Sequence, residues 1–184
     1  MPESTVPGAL LLCLDMQALF LNAIESRDRL IRRCQLALHA AQGLGMTVAF
    51  TEQVPSKLGP TIDSIRAIVP EAGTFPKTTF SALADDSIAG FIAHQDIEHL
   101  IICGIETPIC VYQTALDALN RDIAVTVLSD VIGARCPTDA AVVTSALSRH
   151  GAHVLPLESI FYALLHDADH PFFKSFTQLV KIHG

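Results

Sequence analysis

Apolar runs that alternate with helical patterns constrain the fold of this 184-residue chain most strongly. Strand-like runs occupy residues 9–15, 46–53, 98–105, 123–130 and 152–156. Apolar residues recur with helical spacing at 27–45, 81–95, 107–122 and 137–151, and two further helical segments close the chain. Such alternation is typical of parallel βαβ units, and continuous apolar strands are typical of a sheet covered on both faces. The sequence therefore predicts one α/β domain over residues 1–184, a three-layer α/β/α sandwich with a mostly parallel sheet.

Composition and charge argue against several classes of partner. The net charge is −7 and there is no basic stripe, so nucleic acid is not expected as a partner. No apolar run reaches the roughly 18 residues of a membrane span, and the first residues lack the basic region of a signal peptide. We therefore expect a cytoplasmic protein without membrane contact. Half of the residues are hydrophobic, more than one small core needs, which predicts a homo-oligomer.

The five cysteines show no pairing pattern. Their number is odd and no C-x-x-C occurs, which argues against a disulfide framework or a zinc site. Cys13, Cys34 and Cys103 lie inside apolar periodic segments and are interpreted as core residues, whereas Cys136 precedes a helix and is expected to be partly exposed. The histidines form no metal-binding pair, and no glycine-rich nucleotide motif is present, so neither a metal nor a cofactor is expected.

Cys110 differs from the other cysteines because it falls in the first turn of a predicted helix. Thr107 is a suitable N-cap and Pro108 suits the first helical position, which places Cys110 third. Free amides and the helix dipole would stabilise a thiolate there, and the same amides could hold an oxyanion. Two interpretations stay open at this point: Cys110 is a nucleophile, or it is a small buried hydrophobic residue.

Asp15 and Lys77 are the two charged residues that could serve such a thiol. Asp15 directly follows a buried strand, where a carboxylate could act as general base and acid or could cap the next segment. Lys77 lies between Pro76 and a Thr-Thr pair, where it could be a solvated loop charge. If it lies near Asp15 and Cys110, we expect it to lower the pKa of both.

These three residues together resemble the isochorismatase-like cysteine hydrolases, a superfamily that includes nicotinamidases and N-carbamoylsarcosine amidases. The resemblance rests on Asp15 after the first strand, Lys77 in PKTTFSA and Cys110 in GIETPICV. The segments TEQVPSKLGPTI and DADHPFFKSF are similar to the isochorismatase-domain-containing subgroup. The resemblance covers the chain from residue 9 to about residue 180. It implies an isochorismatase-like sheet with Rossmann-like topology.

The resemblance also implies roles for the site residues. Cys110 would be the nucleophile, Asp15 the general base and acid, and Lys77 their electrostatic partner. A cis peptide bond would join Ile105 to Glu106, and the amides of Glu106 and Cys110 would form an oxyanion hole. The implied activity is hydrolysis of a small amide or related C–N or acyl substrate through a covalent thioester-type intermediate.

The sequence departs from the nicotinamidase pattern at one place. Nicotinamidases carry an Asp-x-His metal motif after the second strand, where this chain has TEQ at residues 51–53.

We expect a small, mostly apolar pocket for an uncharged small molecule, with walls that include Phe20, Gln53, Phe80 and Thr107.

The alternative is a catalytically silent homologue that acts as an interaction or scaffold protein. The high apolar content and the aromatic C-terminal segment motivate this alternative.

Overall fold

A computed structural model describes residues 6–184 and shows a six-stranded, all-parallel sheet between two layers of helices. The strands are β1 (Ala9–Leu14), β2 (Thr47–Gln53), β3 (Gly73–Lys77), β4 (His99–Ile105), β5 (Ala124–Gly133) and β6 (His153–Leu155). The helices are α1 (Ala18–Leu21), α2 (Arg27–Gly43), α3 (Pro55–Leu58), α4 (Asp63–Arg66), α5 (Asp86–His94), α6 (Tyr112–Leu119), α7 (Pro137–Arg149), α8 (Leu157–Leu165) and α9 (Phe173–His183). None of the described helices combines the length and hydropathy needed to cross a bilayer. The predicted α/β sandwich with a parallel sheet is confirmed.

Two apolar clusters fill the space on either side of the sheet. Because successive strand residues point to opposite faces, β1 supplies both layers. Leu11 and Cys13 pack with residues of α2, α8 and α9, whereas Leu10, Leu12 and Leu14 pack with residues of α5, α6 and α7. All six residues of β1 are buried, which explains why this strand has no alternation of apolar and polar residues.

Strand β3 was not predicted from the sequence. It is an edge strand of five residues and is mostly half-buried or exposed, so it lacks the apolar run that identifies the central strands. Pro76 lies within it, and proline is tolerated in a sheet mainly at such an edge. The last residue of this strand is Lys77, one of the predicted site residues.

Strand β5 is longer than predicted. It continues past residue 130 to Gly133, and its register against β4 shifts between Ile102 and Gly104. Asp130 therefore lies within the strand. Its carboxylate pairs with Arg33 and accepts a hydrogen bond from the Leu157 amide, so it helps to hold α8 and does not reach the pocket described below.

The strand order β3-β2-β1-β4-β5-β6 places the topological switch point between β1 and β4. The chain leaves β1 toward one side of the sheet and leaves β4 toward the other. A crevice forms beyond the carboxyl ends of strands at such a point and is the usual site of ligand binding in open α/β sheets. Asp15 follows β1, Lys77 ends β3, and Cys110 follows β4, so all three residues lie at this edge.

Gly104 is required where β4 passes the end of β1. Its φ is +104°, and a Cβ atom there would lie 2.1 Å from the carbonyl oxygen of Leu14. We predict that Gly104→Ala lowers the free energy of unfolding by at least about 2 kcal/mol, because a methyl group meets both backbone strain and a backbone clash. Urea denaturation measures this change.

The matched control for this substitution is Gly90→Ala in α5. A Cβ atom at Gly90 would meet no atom within 4 Å, and alanine favours a helix by about 0.5–1 kcal/mol over glycine. Gly90→Ala should therefore leave the stability unchanged or raise it. Equal effects of the two substitutions would contradict the assignment of a special backbone role to Gly104.

Candidate active site

Asp15 and Lys77 form a buried ion pair at the carboxyl edge of the sheet. The Lys77 Nζ donates to Asp15 Oδ2 at 2.8 Å, and both side chains are fully buried. The Thr51 hydroxyl donates to the other carboxylate oxygen at 2.6 Å, and the Asp15 backbone amide donates to the Thr51 carbonyl at 3.1 Å. The backbone of Asp15 has a φ of +52°, a conformation that aspartate and asparagine tolerate better than most residues. Each carboxylate oxygen thus has a partner, which offsets the cost of burying the charge.

Lys77 connects the ion pair to the thiol. Its Nζ lies 3.7 Å from the Cys110 Sγ and also donates to the Gln53 side-chain oxygen and, at 3.2 Å, to the Thr79 carbonyl. Gln53 is fixed in turn, since its side-chain nitrogen donates to the Thr78 carbonyl at 3.0 Å. The lysine is therefore a structural part of a buried polar network and not a solvated loop charge.

The turn that carries Cys110 differs from the predicted helix start. Residues Thr107–Val111 form a π-helical turn before α6, and Cys110 is its fourth residue. Thr107 does not act as an N-cap: its hydroxyl donates to the Gly133 carbonyl at 2.9 Å. This bond ties the turn to the end of β5, so the cysteine is positioned by tertiary contact with the neighbouring strand.

The pKa of the Cys110 thiol is raised to about 12. Burial is the main cause, followed by the negative charge of Asp15, and these effects outweigh the positive charge of Lys77, which lowers the pKa. The expectation that this site stabilises a thiolate is therefore wrong for the unliganded protein. A hydrogen bond with Asp15 also raises the pKa of this thiol.

The backbone of Glu106 lies beside the thiol, and its side chain pairs with Arg135. The peptide bond between Ile105 and Glu106 is cis. A backbone hydrogen bond from Glu106 lowers the pKa of Cys110, so this amide faces the sulfur. The Glu106 carboxylate is held by Arg135, which donates from its backbone amide at 3.0 Å and from its Nε at 3.1 Å to both oxygens.

A pocket of about 270 Å³ opens directly above the thiol. Its lining is mainly apolar, with polar groups at its base and at its rim. The lining residues are Asp15, Leu19, Phe20, Ala23, Gln53, Phe80, Ile105, Glu106, Ile109, Cys110 and Arg135. Larger cavities of about 390 and 500 Å³ lie elsewhere on the described surface, but no cysteine lines either of them.

Most of the predicted pocket residues line this cavity. Phe20, Gln53 and Phe80 are in its wall, as predicted, whereas Thr107 is fully buried and absent from the lining. The prediction for Thr107 is wrong because its side chain turns toward β5. Arg135 was missed, although it follows a strand end. The sequence prediction ended β5 at residue 130, and only the register with β4 shows that the strand continues to Gly133.

The segment at residues 51–53, where nicotinamidases carry their metal motif, has another use in this protein. Thr51 binds the carboxylate of Asp15, and Gln53 binds Lys77. The Glu52 carboxylate accepts a hydrogen bond from the Thr61 amide at 2.8 Å. All three side chains thus organise the ion pair and the loop beside it.

The sequence matches a family model described as the isochorismatase domain over residues 9–159. The chain belongs to the isochorismatase family. The matched range contains Asp15, Lys77 and Cys110. Among curated relatives, isochorismatase domain-containing protein 2 of Xenopus laevis is 33% identical over 173 residues, which is 94% of this chain and 83% of the relative. Membership in the isochorismatase family supports a hydrolase-type function.

Two solved structures share the whole fold of this chain. The MAR1 ribonuclease of Caenorhabditis elegans superimposes with a TM-score of 0.89 at 26% identity, covering 98% of this chain and 93% of that one. The YcaC gene product of Escherichia coli, an octameric hydrolase of unknown specificity, gives a TM-score of 0.90 at 20% identity, covering 100% and 92%. The second similarity is one of fold alone.

Proposed function

We propose that this isochorismatase-family protein is a cysteine hydrolase for a small amide or a related C–N or acyl substrate. One observation carries the proposal. A single lysine nitrogen contacts both the Asp15 carboxylate, at 2.8 Å, and the Cys110 sulfur, at 3.7 Å, at the base of a pocket. A buried thiol with a base and a cation within reach has the parts that nucleophilic catalysis needs.

The first step is attack of the Cys110 sulfur on the substrate carbonyl carbon. Because the thiol pKa is about 12, the sulfur carries its proton in the free protein, and Asp15 accepts that proton as the C–S bond forms. Lys77 stabilises the negative charge as it passes from the carboxylate to the substrate. The Glu106 amide, which faces the sulfur, and the Cys110 amide hold the oxyanion of the tetrahedral intermediate.

The second half of the reaction releases the two products. Asp15 returns its proton to the leaving nitrogen, the C–N bond breaks, and a thioester remains on Cys110. Asp15 then takes a proton from a water molecule that attacks the thioester carbonyl. The acid departs and the sulfur is again protonated, so the protein returns to its starting state.

The pocket limits the class of substrate. Its volume of about 270 Å³ lies just below the usual range for ligand sites, roughly 300–1,000 Å³. Phe20, Phe80 and Ile109 present apolar surface above the sulfur, which favours a compact, uncharged acyl or amine group. The net charge of −7 does not favour a polyanionic substrate such as RNA.

The test is hydrolysis of a panel of small aliphatic and aromatic amides, with an RNA oligonucleotide as a separate arm. We expect turnover of at least one amide by the wild type, no turnover by Cys110→Ala, and full activity in the control Cys136→Ala, whose thiol is exposed and outside the pocket. Mass spectrometry should find the acyl group on the peptide that contains Cys110. Equal hydrolysis by wild type and Cys110→Ala would refute the proposal, as would cleavage of RNA alone.

A further inference from the structure

Three cysteines meet in the core on the α2 side of the sheet. Cys13 on β1 and Cys103 on β4 are register partners, so their side chains leave neighbouring strands on the same face. Cys34 of α2 completes the group, and the three Sγ atoms all lie within 4.8 Å of one another. Sequence spacing gave no sign of this cluster, because its members are separated by 21 and 69 residues along the chain (34 − 13 and 103 − 34).

The three-cysteine cluster is separate from the proposed active site. Cys13, Cys34 and Cys103 are 1%, 0% and 0% exposed, and the buried residues clustered with them are apolar. None of the three lines the pocket above Cys110. The proposed hydrolysis gives them no role, and their chemistry has to be considered on its own.

The cluster offers three sulfur ligands among apolar side chains. No carboxylate, histidine or fourth cysteine belongs to the cluster within the described part of the chain.

This chemistry selects among the ligands that bind sulfur. Structural zinc is almost always four-coordinate, and a cation bound by three thiolates, such as Cu(I), would leave a net negative charge in an apolar core. A trivalent element that forms three covalent bonds to sulfur leaves no charge. Arsenous acid, As(OH)₃, is neutral and condenses with thiols in this way.

We propose that Cys13, Cys34 and Cys103 form a binding site for trivalent arsenic. Three S–H bonds and three As–O bonds break, three As–S bonds form, and three water molecules leave: As(OH)₃ + 3 RSH → As(SR)₃ + 3 H₂O. No oxidation state changes. The site holds the neutral product among apolar side chains.

Access to the site requires a local opening of the core. Each thiol is closed off from solvent, so arsenous acid enters only when α2 moves away from the sheet. Binding is therefore slow and accelerates with temperature. The folded chain holds the three sulfurs together, whereas the unfolded chain must close two loops to do so, and the complex thus stabilises the folded state.

The experiment incubates the full-length protein with sodium arsenite and a phosphine reductant, since a dithiol would compete for arsenic. After desalting, we expect one arsenic per chain in the wild type and in the double variant Cys110→Ser/Cys136→Ser, and none in Cys34→Ser. Arsenic X-ray absorption of the wild type should show three sulfur neighbours and no oxygen. The melting temperature should rise in the wild type and stay unchanged in Cys34→Ser.

Several results would overturn the site. They are arsenic retained equally by Cys34→Ser, a centre with two sulfurs and one oxygen, a lowered melting temperature, or no retained arsenic after incubation at temperatures that open the core. If Cys34→Ser does not fold, Cys103→Val replaces it, because valine suits a buried strand. The absorption spectrum of the wild type requires no variant. The outcome is independent of whether the protein hydrolyses amides.

Discussion

Replacing Asp15 with Asn should make the Cys110 thiol more reactive and at the same time slow hydrolysis by about 10²–10⁴-fold. The charge of Asp15 and its hydrogen bond both raise the pKa of Cys110. Without the carboxylate charge, the Lys77 ammonium, which lies 3.7 Å from the sulfur, stabilises the thiolate form of Cys110. The thiol pKa therefore falls, and the thiolate fraction rises tenfold for each unit of that fall.

Hydrolysis needs a proton donor and acceptor as well as an ionised thiol, and the Asp15 carboxylate supplies both functions. In the proposed mechanism, Asp15 returns the proton to the leaving nitrogen and later activates water, and asparagine can do neither. A positioned general acid–base contributes about 10²–10⁴-fold, so kcat/KM should fall by about that factor. Asparagine is the appropriate substitution because it keeps the shape of the side chain and tolerates the φ of +52°.

The rate of labelling by iodoacetamide as a function of pH measures the pKa of the Cys110 thiol. The experiment uses a Cys136→Ser background, since Cys136 is exposed and the other three cysteines are buried. The control is Asp122→Asn, which changes an exposed aspartate with a φ of +58° that lies outside the pocket. Slower labelling of Asp15→Asn than of the parent would contradict the assigned charge balance. Retained hydrolysis would contradict the role of Asp15 as acid and base.

The location of the site could be predicted from sequence because it depends on rules that apply locally. Asp15 follows a fully apolar strand, and Cys110 follows another, so the tendency of ligands to bind at carboxyl strand ends applied to both. For Lys77 the residues alone left a solvated loop charge as an alternative, and only the resemblance to a family gave this lysine a role. The strand that carries it is short, lies at the edge and contains Pro76, and no periodicity signals it.

The ionisation of the thiol could not be predicted from the same rules. A helix N-terminus favours a thiolate, but the structure adds burial and a carboxylate, and these two raise the pKa to about 12. Both depend on how closely β1 and the turn after β4 approach each other. The cluster of Cys13, Cys34 and Cys103 was missed for a related reason: periodicity shows which face a residue occupies but not which residue lies opposite.

Removing Lys77 should destabilise the protein strongly, and removing both members of the ion pair should cost less than the two single changes together. Lys77→Met leaves the Asp15 carboxylate buried beside the Thr51 hydroxyl without its counter-charge. Breaking a buried pair from one side costs about 3–5 kcal/mol. The unfolding midpoint in urea should fall accordingly.

The double variant Asp15→Asn/Lys77→Met separates the charge from the packing. It buries no unpaired charge, methionine fills much of the volume of the lysine stem, and asparagine still accepts a hydrogen bond from Thr51. We expect a coupling energy of about 0.5–3 kcal/mol in the double-mutant cycle, measured by urea denaturation of the four proteins. Lys181→Met, on an exposed position of α9, is the matched control and should change the stability by less than about 0.5 kcal/mol. Strict additivity of the two site variants would show that the contact between Lys77 and Asp15 does not stabilise the fold. The stability of the site would then have to come from the hydrogen bonds of Gln53 and Thr51 alone.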